Sequence, residues 1–232
     1  MYSDDLNASP INPLPAVVVV FALAIAGVEL TLQAAERGFL GGADGAGWRL
    51  EAIRAFAWFD AVLDWMTETG RTPPEQLMRL VTYPFVHGGF AHAAFTIVFV
   101  LAIGKMVAEV FSSLAFVVIF VGSGVVGALI YAAFLTTPVA LVGAYPPVYG
   151  LIGAMTFMLW VRARVEGTNQ ARAFGLIAAL LAIQLVFNLI FGGGNEWVAD
   201  IAGFLTGFAL SFVLAPDGTR RVLATLARLR RR

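Results

Sequence analysis

Long apolar stretches, separated by short polar segments, make up most of the sequence. A helix needs about 20 apolar residues to cross a bilayer, and six stretches approach or reach that length. They predict membrane-spanning helices at residues 15–35, 90–110, 114–135, 147–161, 173–191 and 197–214. We therefore expect an all-α membrane protein built as a bundle of six spanning helices.

The segment 37–78, between the first two predicted spans, follows a different pattern. Over residues 48–66, apolar positions recur at roughly helical spacing, opposite acidic and arginine residues. This pattern predicts an amphipathic helix that lies in the membrane surface. The tail, residues 219–232, places its arginines opposite apolar positions and predicts a basic amphipathic helix on an anionic leaflet.

The composition agrees with a membrane protein and excludes several kinds of site. Hydrophobic residues make up 59% of the chain and charged residues 13%, with a mean hydropathy of +0.83. A soluble domain has roughly 45–50% apolar residues. The absence of cysteine excludes disulfides, thiolate zinc sites, iron–sulfur clusters and a cysteine nucleophile. We expect an N-terminal segment at 1–14, a membrane domain at 15–215 and a basic tail at 216–232.

The basic residues predict how the chain is oriented. Most of them lie in the connection 162–172 and in the tail, whereas the long first loop is acidic on balance. By the positive-inside rule, both termini are cytoplasmic and the first loop is external. The first residues carry no lysine or arginine, which argues against a cleaved signal peptide. We expect a multi-pass protein of a bacterial inner membrane.

Small residues predict close contact between two of the spans. Pro146 and Pro147 can open a helix but cannot lie inside one. Gly150 and Gly153 follow at helical spacing, and the last predicted span carries a matching pair of glycines, Gly203 and Gly207. Faces without side chains let membrane helices approach closely. We therefore expect the fourth and sixth spans to pack against each other through these glycines.

Three motifs together resemble the rhomboid family of intramembrane serine proteases. In that family an arginine precedes His-x4-His-x3-Asn at a fixed distance, a nucleophile lies in Gly-x-Ser-Gly, and a base lies in Ala-His-x-x-Gly-x-x-x-Gly. The residues of this chain at the first motif are Arg79, His87, His92 and, in place of the asparagine, Thr96. Tyr145 occupies the serine position and Asp200 the histidine position. The resemblance covers the six predicted spans and implies their fold.

The resemblance also implies which chemistry is missing. Rhomboids use a serine hydroxyl as nucleophile and a histidine as its base, and Tyr145 and Asp200 can replace neither well. The second-span residues of the family help to form an oxyanion hole; here His92 can still donate, but Thr96 has a shorter side chain. We therefore predict a rhomboid-like pseudoprotease without an intact catalytic site. His87 and His92 do not have the spacing of a zinc motif, and we expect no metal or cofactor.

Three functions remain open at this stage. The first is a membrane protein that binds other membrane proteins or their transmembrane segments without cutting them, as the resemblance to inactive rhomboids implies. The second is an accessory subunit of a larger membrane complex, and the third is an active protease with unusual residues. The expected partners are other membrane proteins and, at the arginine-rich tail, anionic lipids; nucleic acid is not expected.

Two acidic residues allow two interpretations each. Glu29 is expected to be hydrated near the membrane edge, and the alternative is a buried partner for a polar group elsewhere. Asp200 could be solvated near the outer surface, or it could accept a hydrogen bond from Tyr145 and so form a latch between the fourth and sixth spans. Gln184 and Asn188 share a helical face in the fifth span.

Overall fold

The computed structural model describes residues 13–135, 139–191 and 194–216. Within the helix that ends at Phe191, the side chains of residues 185, 187–189 and 191 are not described. The predicted amphipathic helix at 219–232 and most of the predicted N-terminal segment 1–14 therefore lie outside the described residues.

The described part of the chain is almost entirely helical. Its α-helices are α1 (Ala16–Glu36), α2 (Trp48–Phe56), α3 (Asp60–Thr69), α4 (Pro74–Thr82), α5 (Phe90–Val110), α6 (Ser113–Phe134), α7 (Tyr145–Val165), α8 (Gly175–Phe191) and α9 (Trp197–Leu214). Short 3-10 helices lie at Gly42–Gly47, Tyr83–Phe85 and Gln170–Phe174. The prediction of an all-α protein is confirmed for these residues.

Among the described residues, five helices are long and apolar enough to cross a membrane, namely α1, α5, α6, α7 and α9. The sequence predicts six such helices, and the difference is α8. It has 17 residues, which corresponds to about 25 Å at 1.5 Å per residue. A typical hydrocarbon core is about 30 Å thick. A sixth crossing through α8 is therefore a proposal that depends on tilt or on local thinning of the bilayer.

The number of crossings can be measured with topology reporters. A reporter inserted at Gly42, between α1 and α2, and one fused after Arg232 should report opposite sides of the membrane if α8 spans it. Five crossings would place both reporters on the same side, and that result would contradict the sixth span. A reporter in the connection at residue 168, between α7 and α8, provides the control, because it should be cytoplasmic with either number of spans.

The helix α7 forms the centre of the bundle. All of its residues from Pro146 to Phe157 are buried, and it packs against α5, α6 and α9. Its first turn contains Pro146 and Pro147, which need no intrahelical donor at that position. Because α7 is surrounded, the residues at its N-terminus are held by three neighbouring helices.

The single amphipathic helix predicted over residues 48–66 is wrong. The chain leaves α2 after Phe56 and enters α3 at Asp60, so the segment is two helices with an extended break. At the break, the backbone of Trp58 pairs with that of Leu141, with N–O distances of 3.2 and 2.8 Å. Trp58 is completely buried. Burying this large side chain and forming both hydrogen bonds explains why the helix is interrupted.

The prediction of a hydrated Glu29 is also wrong. Its side chain is 3% exposed and accepts two hydrogen bonds of 2.9 Å from the guanidinium of Arg49. Arg49 also donates to Glu36, at 2.5 and 3.2 Å, and to the carbonyl of His87 at 2.7 Å. The alternative interpretation, a buried partner for Glu29, is therefore the correct one, and its partner comes from the first loop.

These contacts connect three segments that are far apart in the sequence. Hydrogen bonds to Glu29 and Glu36 raise the pKa of Arg49 above its ordinary value, so the guanidinium stays charged. Because Arg49 lies at the start of α2 and both acids lie on α1, the ion pairs hold the first loop against the first spanning helix. The bond to the His87 carbonyl extends this connection to the segment that precedes α5.

Candidate functional site

The glycines predicted to mediate packing lie at the contact between α7 and α9. A Cβ atom added to Gly207 would overlap the carbonyl of Gly150, and one added to Gly203 would overlap the carbonyl of Pro146. A Cβ added to Gly153 would overlap the carbonyl of Phe204. The two backbones therefore touch directly, as is typical of small-residue faces in membrane helices.

The helix α6 joins this contact from the other side. An added Cβ at Gly127 would lie 2.9 Å from the carbonyl oxygen of Ala199, and one at Gly150 would overlap the Ser123 side chain. Tyr83 is buried and donates its hydroxyl to the Gly124 carbonyl at 2.9 Å. As a result, the N-terminal ends of α7 and α9 are held next to each other.

A cavity of about 290 Å³ lies at these helix ends. Tyr145, in the first turn of α7, and Asp200, in the first turn of α9, both line it, together with His92 of α5 and Gln184 of α8. The rest of its lining comes from Pro146, from residues 140–142 before α7, and from Gly194, Glu196 and Trp197. The structure thus brings both family dyad positions and one oxyanion position to a single site.

Asp200 does not form the predicted latch with Tyr145. Its carboxylate is 2% exposed, so it is buried rather than solvated, and its Oδ2 accepts a 2.7 Å hydrogen bond from the amide of Gln184. The other oxygen, Oδ1, has no hydrogen-bond partner among the described residues. Gln184 can reach the carboxylate from α8 with a flexible side chain, whereas the Tyr145 ring packs against His92. Both interpretations of Asp200 drawn from the sequence are therefore wrong.

The Tyr145 ring packs at a tilt against the ring of His92. The two ring centres are 4.6 Å apart, and the His92 ring meets the His87 ring edge to face at 4.9 Å. Gly143 makes room for these rings: its φ is +83°, and an added Cβ would overlap the His92 ring. His87 is fully buried, and burial lowers its pKa to about 3, so it is neutral at physiological pH.

Thr96 and Arg79 do not line the cavity. The Thr96 side chain is fully buried and donates to the His92 carbonyl at 2.9 Å, within α5. Arg79 donates to the carbonyls of Arg54 and Ala57, at 2.8 and 3.0 Å, at the C-terminal end of α2. Thr96 therefore contributes no hydroxyl to the site, and Arg79 holds the first loop in place.

Sequence reasoning missed the roles of Gln184, Glu196 and Trp197. A polar residue inside an apolar span was the available signal for Gln184, but its partner on α9 could not be read from the spacing. Asn188, predicted to share its face, has a side chain outside the described residues. Within the described ranges, three or more histidine or acidic side chains are nowhere grouped as metal ligands would be.

Comparison with known proteins identifies the class. The family model of the rhomboid domain matches residues 74–217, which is more than half of the chain. The chain therefore belongs to the rhomboid family, and its apolar helices make it an integral membrane protein. The matched region begins at α4 and includes α5–α9, so the cavity described above lies within the rhomboid domain.

Individual relatives differ in what their names say about activity. The chain is 28% identical over 145 residues to YdcA of Bacillus subtilis, covering 62% of this chain and 70% of that protein. It is 25% identical over 155 residues to rhomboid protease GluP of the same organism, covering 64% of this chain and 29% of GluP. It is 27% identical over 146 residues to inactive rhomboid protein 1 of Danio rerio, covering 62% of this chain and 16% of that protein.

Proposed function

We propose that this protein is a rhomboid pseudoprotease that binds the transmembrane segments of other membrane proteins without cleaving them. The observation that supports this most directly is the pair of residues at the dyad positions. Tyr145 and Asp200 line one cavity, but the carboxylate is bonded to Gln184 and not to the phenol. The cavity therefore lies at the positions where rhomboid proteases carry their dyad, but its side chains are unsuited to acyl transfer.

The site lacks groups for two parts of acyl transfer: activation of the nucleophile and stabilisation of the oxyanion. A hydroxyl nucleophile needs a base within hydrogen-bond reach to remove its proton, and Tyr145 has no hydrogen bond to Asp200. Backbone N–H groups often stabilise the oxyanion of an acyl transfer, and Pro146, directly after the nucleophile position, has none. The Thr96 hydroxyl is bonded to its own helix. The loss of these groups together supports an inactive protein.

The shape of the site supports binding. A second cavity of about 150 Å³ lies between α5, α7 and α8 and is lined mainly by apolar side chains. Tyr145 and Gln184 line both cavities, so these two side chains stand between an apolar chamber and a polar one. Cavities of this size take single side chains, so a segment bound beside them would place an apolar side chain in one and a polar side chain near its end in the other. The proposed ligand is therefore a spanning segment with a polar terminus.

Binding without cleavage can be tested with a labelled single-span model peptide. A photo-reactive residue introduced at Ile183, which is 54% exposed on α8 and lines the apolar chamber, should crosslink the peptide. The same residue at Leu23, which is 64% exposed on α1, serves as the control and should not. Mass spectrometry should recover the peptide intact. Equal crosslinking at both positions would contradict a specific site, and recovery of two fragments would contradict a pseudoprotease.

Fluorophosphonate labelling provides the corresponding chemical control. The protein should not react with the probe, and the double variant Tyr145→Ser/Asp200→His should remain unreactive, because Pro146 and Thr96 still remove oxyanion donors. Labelling of the unaltered protein that disappears when one serine is replaced would indicate an active protease. A partner that copurifies in fixed stoichiometry would favour the accessory-subunit alternative.

A further inference from the structure

Residues that line the polar cavity carry buried polar atoms that have no hydrogen-bond partner among the described residues. These atoms are Oδ1 of Asp200, Oε1 of Gln184 and Nε2 of His92. Because the Gln184 amide donates to Oδ2 of Asp200, its own oxygen remains free as an acceptor. Leaving a buried polar atom unpaired costs roughly 1–3 kcal/mol. Two of these atoms are oxygens that act as acceptors, and both belong to residues that line one cavity, which favours a ligand that donates hydrogen bonds.

The charges and rings around the cavity favour a ligand that is also positive. Glu196 adds a second carboxylate to that of Asp200, and no lysine or arginine is among the described lining residues. The described parts of the two connections that supply lining residues, 139–144 and 194–196, contain no basic residue either. Tyr145 and Trp197 contribute aromatic side chains, and aromatic rings attract cations.

We propose that this cavity binds the side-chain cation of a lysine or arginine carried by the bound segment. This proposal rests on the proposed function and specifies which segments the protein selects. An ammonium group has three donors and a guanidinium five, which suffices for the free oxygens of Asp200 and Gln184. The volume of about 290 Å³ accommodates the end of such a side chain. Spanning segments with a basic residue at the end that enters the cavity would therefore be preferred.

The central acid of the cavity is almost completely buried, which distinguishes this site from a group of surface carboxylates. Asp200 is 2% exposed, and its partner among the described residues is a neutral amide. A buried carboxylate is stabilised when a positive group pairs with it. Water is the alternative occupant, because at about 30 Å³ per molecule the cavity has the volume of several waters. Water alone would give no preference for charge, so ligands that differ only in charge distinguish the two.

The test uses three single-span peptides that carry lysine, norleucine or glutamate at one terminal position. Their affinities for the detergent-solubilised protein are measured by fluorescence anisotropy in uncharged maltoside micelles. The lysine peptide should bind at least about tenfold more tightly than the norleucine peptide, and the glutamate peptide more weakly than both. Asp200→Asn should remove the preference for lysine. Glu166→Gln, which removes an exposed acid paired with Arg162 directly after the C-terminal end of α7, should preserve it.

The outcomes separate this proposal from the proposed function. Equal affinities for the three peptides would overturn the cation site while leaving segment binding intact. If no peptide binds, the proposed function fails, and thermal unfolding with n-butylammonium chloride or n-butanol then decides the cation site. Saturable stabilisation by the ammonium ion that requires Asp200 would support it. Identical unfolding in both compounds would overturn it.

Discussion

Replacement of Arg49 by methionine is expected to lower the free energy of unfolding by about 3–5 kcal/mol, because it leaves a buried acid without its positively charged partner. Glu29 is 3% exposed, and its two oxygens accept hydrogen bonds from the guanidinium. Methionine keeps much of the volume of the arginine stem but removes every donor. The loss should be measured by denaturant titration in mixed micelles.

Two further variants show whether the buried charge causes the effect. Arg54→Met changes an exposed arginine in the same helix, α2, and should change stability by less than about 0.5 kcal/mol. Glu29→Gln, added to Arg49→Met, should recover part of the loss, since an amide is less costly to bury than an unpaired carboxylate. If Arg49→Met is as mild as Arg54→Met, the ion pair does not stabilise the first loop.

The same variant should also affect the site. Arg49 donates to the carbonyl of His87, whose ring contacts that of His92 at the cavity. Loss of this hydrogen bond removes a restraint on the segment before α5. The Arg49→Met protein should therefore bind the model peptide more weakly even under conditions where it remains folded.

Replacement of Gly207 by valine is expected to cost about 3 kcal/mol or more, at the upper end of what overpacking usually costs. A Cβ atom at this position would overlap the backbone carbonyl of Gly150, and backbone cannot move aside as a flexible side chain can. The helices α7 and α9 would have to separate. Because Tyr145 and Asp200 lie at the ends of these helices, the cavity between them should change shape and lose peptide binding.

Gly27→Ala provides the matched control for this variant. Gly27 lies inside α1, and an added Cβ there would meet nothing within 4 Å. Alanine is a better helix former than glycine by about 1 kcal/mol, so this variant should be unchanged or slightly more stable. A Gly207→Val protein that unfolds like Gly27→Ala would show that the close contact between α7 and α9 is not required.

The sequence by itself determined the helical class, the apolar segments and the family. Five predicted spans correspond to long apolar helices, because apolar composition and length are local properties of each segment. The motifs around His92, Tyr145 and Asp200 led to the rhomboid family, which the domain match shows. The sixth predicted span corresponds to α8, which has 17 residues and is shorter than the five long helices, so its crossing of the membrane stays a proposal.

Only the tertiary structure decided which polar groups meet. Glu29 is paired with Arg49, 20 positions further along the chain, and Asp200 with Gln184, 16 positions earlier and on another helix. Trp58 pairs with Leu141 and interrupts a segment whose periodicity predicts one continuous helix. Each of these contacts depends on how the helices are rotated and where the loops run. Hydrophobic periodicity records which face of a helix is apolar, but it contains no information about which distant segment covers a given polar group.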